Sequence, residues 1–448
     1  MKININASGC GKGKTQAIIK MINQNPDEKF LIIVPSIKLA NEYGDALNIQ
    51  PITSEFSKNV QQDISRQIDL QNRILVITQK AFKDYKMKCM LCFRRNVIQD
   101  EEFNVMTTSK WKMDNHKDYQ DMFVTKKLTE TWYSVDIDII RAGDFIESED
   151  IFDDKSFLHD LLNTPQQIFT NTPTITDESY IISILSPQMY EGCQSLYIAC
   201  ANFTKTQQYH LWKSLFGIEF GVKTPFVPYE AEKVTIHYAE QKRNSKMYNT
   251  SKTNIRDEFI KYVNEQSTDV IYVDNNNNPD INNWTRLTHN CHGENKYREK
   301  AHIAVLSAIN YNGVVTNFFT EVVGITADAL RFALIGELAH QVIMRGSLRI
   351  NNKARCDIYL MEQELAMYIY SLFTQADIKE IPNTSRETKN LSRSAIQKAS
   401  EIRRNHKEVR HMDTEQLMKH DIWNKTNARG LYTRKAIADM KEQLKQMN

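Results

Sequence analysis

The sequence predicts an α/β protein of two doubly wound, parallel-sheet domains in tandem, followed by a helical, basic C-terminal extension. Three observations predict it. Short β-branched runs alternate with helically spaced apolar stretches in two successive series. Pro225 and Pro228 break the pattern between the series, as an interdomain linker does. Beyond about residue 376 the strands are expected to stop, and polar, helix-favouring sequence with clusters such as Arg403–Arg404 takes over. These signals set expected domains at 1–224, 229–375 and 376–448.

In the first series, residues 2–7 read as a short strand running into a glycine cluster, and residues 15–23 as a helix. Residues 30–34 form a continuous apolar run, the signature of a buried parallel strand, and residues 37–47 read as a helix. Residues 74–78, 96–99 and 195–200 repeat the strand signal. In the second series, strands are expected at 234–238, 270–273, 303–306 and 356–361, with helices near 255–264 and across 327–345.

Composition sets the class. Hydrophobic residues make up 41% and charged residues 25%, as in globular chains. No apolar run approaches the roughly 20 residues of a membrane span, and no signal-peptide layout opens the chain. No membrane partner is expected, and the expected location is the cytoplasm, that of a host cell if the chain is viral. Seven cysteines in 448 residues do not make a disulfide framework. The net charge is +2, but residues 379–448 hold sixteen Lys/Arg against nine Asp/Glu, so the remainder is acidic. Residues 134–160 carry nine acids against Arg141 and Lys155.

Residues 8–15 read Ser8-Gly9-Cys10-Gly11-Lys12-Gly13-Lys14-Thr15. Between a strand and a helix this is a phosphate-binding loop. Glycines let backbone N–H groups wrap phosphate oxygens, and the helix N-terminus adds its dipole. Lys14 is expected on the β/γ-phosphates of ATP and the Thr15 hydroxyl on Mg²⁺. Ser8 departs from the Gly or Ala usual at the first position. An ATPase also needs carboxylates at the end of a neighbouring strand. Asn96–Gln99 ends in Asp100-Glu101-Glu102-Phe103, which offers Asp100 on the metal side and Glu101 as general base. The rival Asp136-Ile137-Asp138 has no following glutamate.

With these residues in order, the chain resembles superfamily 2 helicases, including the compact helicases of phages and plasmids. The resemblance covers about residues 1–365 and implies two RecA-like domains closing on ATP and Mg²⁺. Pro35-Ser36-Ile37-Lys38-Leu39-Ala40 looks like motif Ia and Ile77-Thr78-Gln79 stands where motif Ib falls. They imply nucleic-acid contacts at Pro35, Ser36, Lys38, Thr78 and Gln79. Asp100–Phe103 stands as the DExx box, and Ala199-Cys200-Ala201-Asn202 is similar to the element coupling hydrolysis to strand movement. Gln341 through Arg345 to Arg349 looks like motif VI, whose arginines reach the γ-phosphate. The two arginines are offset by four residues where the family has three, which leaves open which is the main finger. Residues 293–297 and 306–310 stand about where motifs IV and V fall.

The phosphate loop opens a few residues after Met1, so the adenine-reading element of DEAD-box RNA helicases is not expected, and DNA is favoured over RNA. The implied partner is single-stranded or forked nucleic acid, in replication or recombination. The rival is a nucleic-acid-stimulated ATPase acting as a clamp, initiator or loader without unwinding. Almost a hundred residues separate the DExx box from Ala199, so residues 110–187 are expected to be an insertion. Its acidic middle would repel phosphates and suits a protein partner; a plain elaboration of the sheet edge is the alternative. Cys89 and Cys92 have half a zinc site's spacing, which Cys291 with His289 and His292 would complete only if the fold brought two distant regions together; the pair is read as half-buried thiols.

Overall fold

The computed structural model describes residues 3–110, 123–137, 166–174, 179–240, 244, 255–289, 296–349, 355–382, 384, 393–406, 409–412 and 414–426. Two compact units divide the chain, Met1–Ser385 and Arg386–Asn448.

In the first unit β1 (Ile3–Asn6), β2 (Phe30–Val34), β3 (Ile74–Thr78) and β4 (Asn96–Asp100) come in succession. A second group follows: β5 (Met106–Lys110), β6 (Phe123–Lys127), β7 (Tyr133–Ile137), β8 (Gln166–Thr170) and β9 (Tyr180–Leu185). β10 (Ser195–Ala199) and β11 (Phe220–Thr224) then rejoin the first group. The first sheet runs β11-β1-β10-β4-β2-β3 and is parallel throughout. Helices cover both faces, so central strands are apolar on both sides; all five residues of β2 are buried.

β5 to β9 form a five-stranded antiparallel sheet in the order β5-β9-β8-β7-β6. The expected insertion is therefore a sheet of its own, and it begins at Met106. Asp136 lies exposed on β7, far in sequence from the phosphate loop. Residues 138–165, most of the acidic stretch, lie outside the described residues.

The second sheet comprises β12 (Val234–Ala239), β13 (Val270–Val273), β14 (Thr285–Arg286), β15 (His302–Val305), β16 (Cys356–Leu360) and β17 (Asp377–Ile381). It runs β14-β13-β15-β16-β12-β17, again parallel. Strands do not stop at residue 376: β17 adds an edge beside β12. Its sequence Asp-Ile-Lys-Glu-Ile leaves most residues at least partly exposed, so it lacks the apolar run of a central strand.

Between β15 and the helix Glu337–Ile343 the chain leaves the second sheet. Val315, Phe318, Phe319, Val323 and Leu330 bury themselves in the first lobe's core, among Trp132, Phe169 and Trp212. Trp132 donates from its ring N–H to Asn317 Oδ1 at 2.6 Å, and the Thr131 hydroxyl donates to Glu321 Oε2 at 2.6 Å. The lobes are thus fastened by this clasp as well as by the 225–230 linker.

The second unit packs helices Arg393–Asn405, Thr414–Lys419 and Asp421–Lys425 around Ala399, Ile402, Val409, Leu417 and Ile422. Part of its basic charge is used internally: Arg403 donates to Met412 O and Thr414 Oγ1, and Arg404 pairs with Glu401 at 3.0 Å. Among the described residues no helix is long and apolar enough to cross a membrane.

Candidate nucleotide site

Three helices that follow strands of the first sheet start with their own side-chain caps. Ser36 accepts from Leu39 N, Thr78 from Ala81 N, and Thr206 from Tyr209 N. Such caps satisfy N–H groups that the first helical turn leaves unpaired. The helix Lys14–Gln24 differs. Its cap residue is Gly13 at φ 74°, a conformation that glycine adopts without strain, and no side chain caps it. Its leading N–H groups stay open to an anion.

Lys14 lies buried over this loop and donates to Ser8 O at 3.0 Å and Gly9 O at 3.1 Å. Burial works against its charge, but Cys10, Glu101, Cys200 and Asp100 outweigh it and hold the ammonium above its ordinary value. Thr15 Oγ1 lies 3.4 Å from Asp100 Oδ2, and the Tyr43 hydroxyl donates to the same oxygen at 2.7 Å. Burial first, and then the neighbouring Glu101, push the Asp100 carboxyl up from the usual carboxylate range. Tyr43, on the helix Ile37–Leu47, carried no sequence signal as a site residue.

Glu101 takes φ 78°, which costs a non-glycine residue energy and persists only where the surroundings impose it. The fully buried Gln99 supplies the support: its amide donates to Glu101 O at 2.9 Å, and its oxygen accepts from the Tyr190 hydroxyl at 2.9 Å. Glu101 N donates to Ala199 O across to β10. The result is a glutamate whose Oε2 is buried with no hydrogen-bond partner among the described residues.

A cavity of about 340 Å³ gathers these groups. Gly11, Gly13, Lys14, Thr15, Asp100 and Glu101 line it from the first lobe; Arg298, Arg345 and Arg349 line it from the second. Arg345 is buried, and burial together with Arg345 lowers the Arg349 guanidinium from its ordinary value. The exposed Arg298 was missed by the sequence reading: it directly follows residues 293–297, which match motif IV by position alone, and it stands in a loop before β15 with no strand or helix pattern of its own. Gln341 is not among the lining residues of this cavity. A buried carboxylate beside a threonine hydroxyl, with a second, unpartnered carboxylate next to it, is a donor set that fits Mg²⁺.

The motif Ia and Ib residues lie elsewhere. Lys38 is exposed and Pro35 half-buried, while the Ser36 and Thr78 oxygens accept helix-cap bonds. Gln79 donates to Glu102 O at 2.9 Å. Burial pushes the Glu102 carboxyl up to about 8. Asn202, in the left-handed region at φ 53°, donates to Glu337 Oε1 at 3.1 Å and to the Tyr368 hydroxyl at 3.0 Å, both in the second lobe. Cys89 is exposed and Cys92 buried, where burial raises its thiol far above the ordinary value; Cys291 and His292 lie outside the described residues.

No family model matches the sequence, and no curated protein matches it. Among solved structures the chain is similar to apo XPD, with TM-score 0.49 and 11% identity over 84% of this chain and 96% of that one. S. tokodaii Xpd4 follows, with TM-score 0.47 and 11% identity over 84% and 95%. A structure named as XPD helicase has TM-score 0.45 and 8% identity over 85% and 96%. At such identities these likenesses concern the fold alone.

Proposed function

We propose that this chain is an ATP-dependent nucleic-acid translocase or helicase of the superfamily 2 type, acting on DNA in replication or recombination. The observation that carries the reading is the single cavity shared by the uncapped phosphate loop, the Asp100–Glu101 pair and arginines of the second lobe. Lys14 would meet the β/γ-phosphates, and Thr15 with Asp100 would hold Mg²⁺. Bound there, the metal supplies charge neutralisation on the phosphate oxygens. Glu101, with a free buried oxygen, orients the attacking water and takes its proton. Arg345 and Arg349 stabilise the charge that develops on the transferred group. Pro35, Ser36, Lys38, Thr78 and Gln79 form the nucleic-acid track on the first lobe, and the acidic middle of the insertion, outside the described residues, is the part suited to a protein partner.

The clasp favours a second reading. Lobes joined both by the linker and by Trp132–Asn317 have less freedom to open, which suits an ATPase that clamps or loads without unwinding. Two assays separate the readings. ATP hydrolysis is measured with and without single-stranded DNA and RNA, and strand displacement on forked, 3′-tailed and 5′-tailed duplexes. Stimulation by DNA together with displacement is expected, and Lys14→Ala abolishes both. Hydrolysis stimulated by DNA without displacement on any substrate selects the clamp. Hydrolysis that ignores nucleic acid sinks both readings.

A further inference from the structure

The helical unit of residues 386–448 has no part in the proposed chemistry, and it lies beyond the stretch of about residues 1–365 that the helicase resemblance covers. It carries fifteen Lys/Arg against eight Asp/Glu, although the whole chain is only +2. The positive charge of the chain is concentrated here.

Three of its arginines converge at one helix end. The helix Arg393–Asn405 closes with Arg403 and Arg404, and the chain then turns back on it. Arg410 Nε donates to Arg403 O at 3.2 Å and its Nη2 to Arg404 O at 3.4 Å. Buried Ile402 and Val409, packed with Leu417, hold the turn from beneath. One arginine at a helix C-terminus is ordinary capping, because the last carbonyls carry partial negative charge. Three exceed what the dipole asks, and among the described residues the carboxylate paired with them is that of Glu401, 3.0 Å from Arg404. Arg403 is committed inward, to Met412 O and Thr414 Oγ1. Arg404 and Arg410 stay exposed, the Arg404 side chain at 69%. A guanidinium offers five N–H donors in a planar fork, more than these bonds use. The short helices that follow add exposed Lys419 and Lys425, with the exposed Asp421 between them in sequence.

The lack of apolar surface decides which anion this patch suits. Among the described residues of the unit, Met418 is the one large hydrophobic side chain that stands exposed. Docking on a membrane or in a partner's groove takes a whole apolar face. Planar guanidiniums instead match phosphate oxygens two by two. We propose that Arg404 and Arg410, with Lys419 and Lys425, form a separate binding site for the phosphate backbone of a nucleic acid. Phosphate contacts carry no sequence information, so this hold is indifferent to base sequence. It calls on none of the residues proposed to bind ATP or to form the first lobe's track, so it needs no nucleotide.

The test titrates the full chain, without nucleotide, against fluorescent oligo-dT and a mixed-sequence oligonucleotide at several salt concentrations. Arg404→Gln combined with Arg410→Gln is expected to weaken both about tenfold and to flatten the log–log salt dependence by about 1.5, the worth of two phosphate contacts on a single strand. The same pair changed to Lys keeps most of the slope, and ATP hydrolysis without nucleic acid is unchanged in either. Phenylglyoxal modification of the wild-type chain, read by mass spectrometry, is expected to spare Arg404 and Arg410 once oligonucleotide is bound, a readout that holds even if the Gln pair fails to fold. Phosphatidylserine vesicles and polyglutamate serve as rival anions. A salt slope unchanged in the Gln pair, arginines that stay reactive under saturating oligonucleotide, or equal protection by vesicles or polyglutamate overturns this site and leaves the reading of the first lobe standing. Hydrolysis that ignores nucleic acid, beside a slope that the Gln pair flattens, removes the motor and leaves this site.

Discussion

The two parallel sheets have the same number of strands and the same kind of core, yet they treat their buried charges in opposite ways. In the second sheet the charges answer one another. Asp274, just past β13, is paired with Arg256 at 2.8 Å, and Glu362, just past β16, is paired with Arg331. Asp357 on β16 accepts from His237 at 3.3 Å and from Arg355 at 2.9 Å. In the first sheet, among the described residues, Asp100 has two neutral hydroxyls as hydrogen-bond partners, and neither it nor Glu101 forms an ion pair. Glu362, by contrast, is ion-paired although its own Oε1 also lacks a hydrogen-bond partner. Burying charge without an ion pair costs stability, and its presence at one strand end beside paired charges at the matching ends is what the proposed ligand site would explain. On the proposed reading the chemistry belongs to the first sheet, and the second contributes arginines across the cavity.

That contrast can be broken most directly at the arginines. Arg345→Ala and Arg349→Ala should each lower kcat, the main finger by about 10³–10⁵-fold, with little change in ATP affinity. Steady-state hydrolysis beside equilibrium binding shows which is the finger, and near-normal turnover in both variants would remove the second sheet from the chemistry. Glu101→Gln should lower kcat by about 10²–10⁴-fold while still binding ATP. Full turnover would end its assignment as base.

The paired charges of the second sheet should instead answer in stability. Arg331→Met strands the buried Glu362 and is expected to cost about 3–5 kcal/mol in urea unfolding. An unchanged midpoint would show that this pairing is incidental. The smallest effect is a pH dependence. Burial holds the His302 imidazole below its ordinary value, so its neutral form is the one the fold favours. That stability is complete above about pH 6.5 and is lost as pH falls toward the folded value. Burial opposes the Asp357 charge, but bonds from His237 and Arg355 outweigh it and hold that carboxyl low, so its contribution is lost only at still lower pH. A melting temperature falling by about 1–2 °C between pH 7.5 and 5.5, and flatter in His302→Gln, is the expected outcome.

The sequence by itself determined the strand–helix alternation of both lobes, because central parallel strands are buried on both faces and read as unbroken apolar runs. It also determined the phosphate loop, whose glycines and lysine are contiguous, and it pointed to Asp100, Glu101, Arg345 and Arg349 by their order along the chain. β17 escaped it because an edge strand needs little apolar surface. The inserted sheet was legible as extra length, not as five strands. Only the tertiary structure decided which groups are left without partners. Gln99 props Glu101, Tyr43 reaches Asp100 from another helix, Arg298 enters the cavity from a loop, and Tyr229 bridges Cys10 and His340. Each of these lies more than a helical turn away in sequence from at least one group it serves or faces, apart from Gln99 two residues from Glu101. Local pattern records which face of an element is buried. It does not record which distant polar group will be there to meet it.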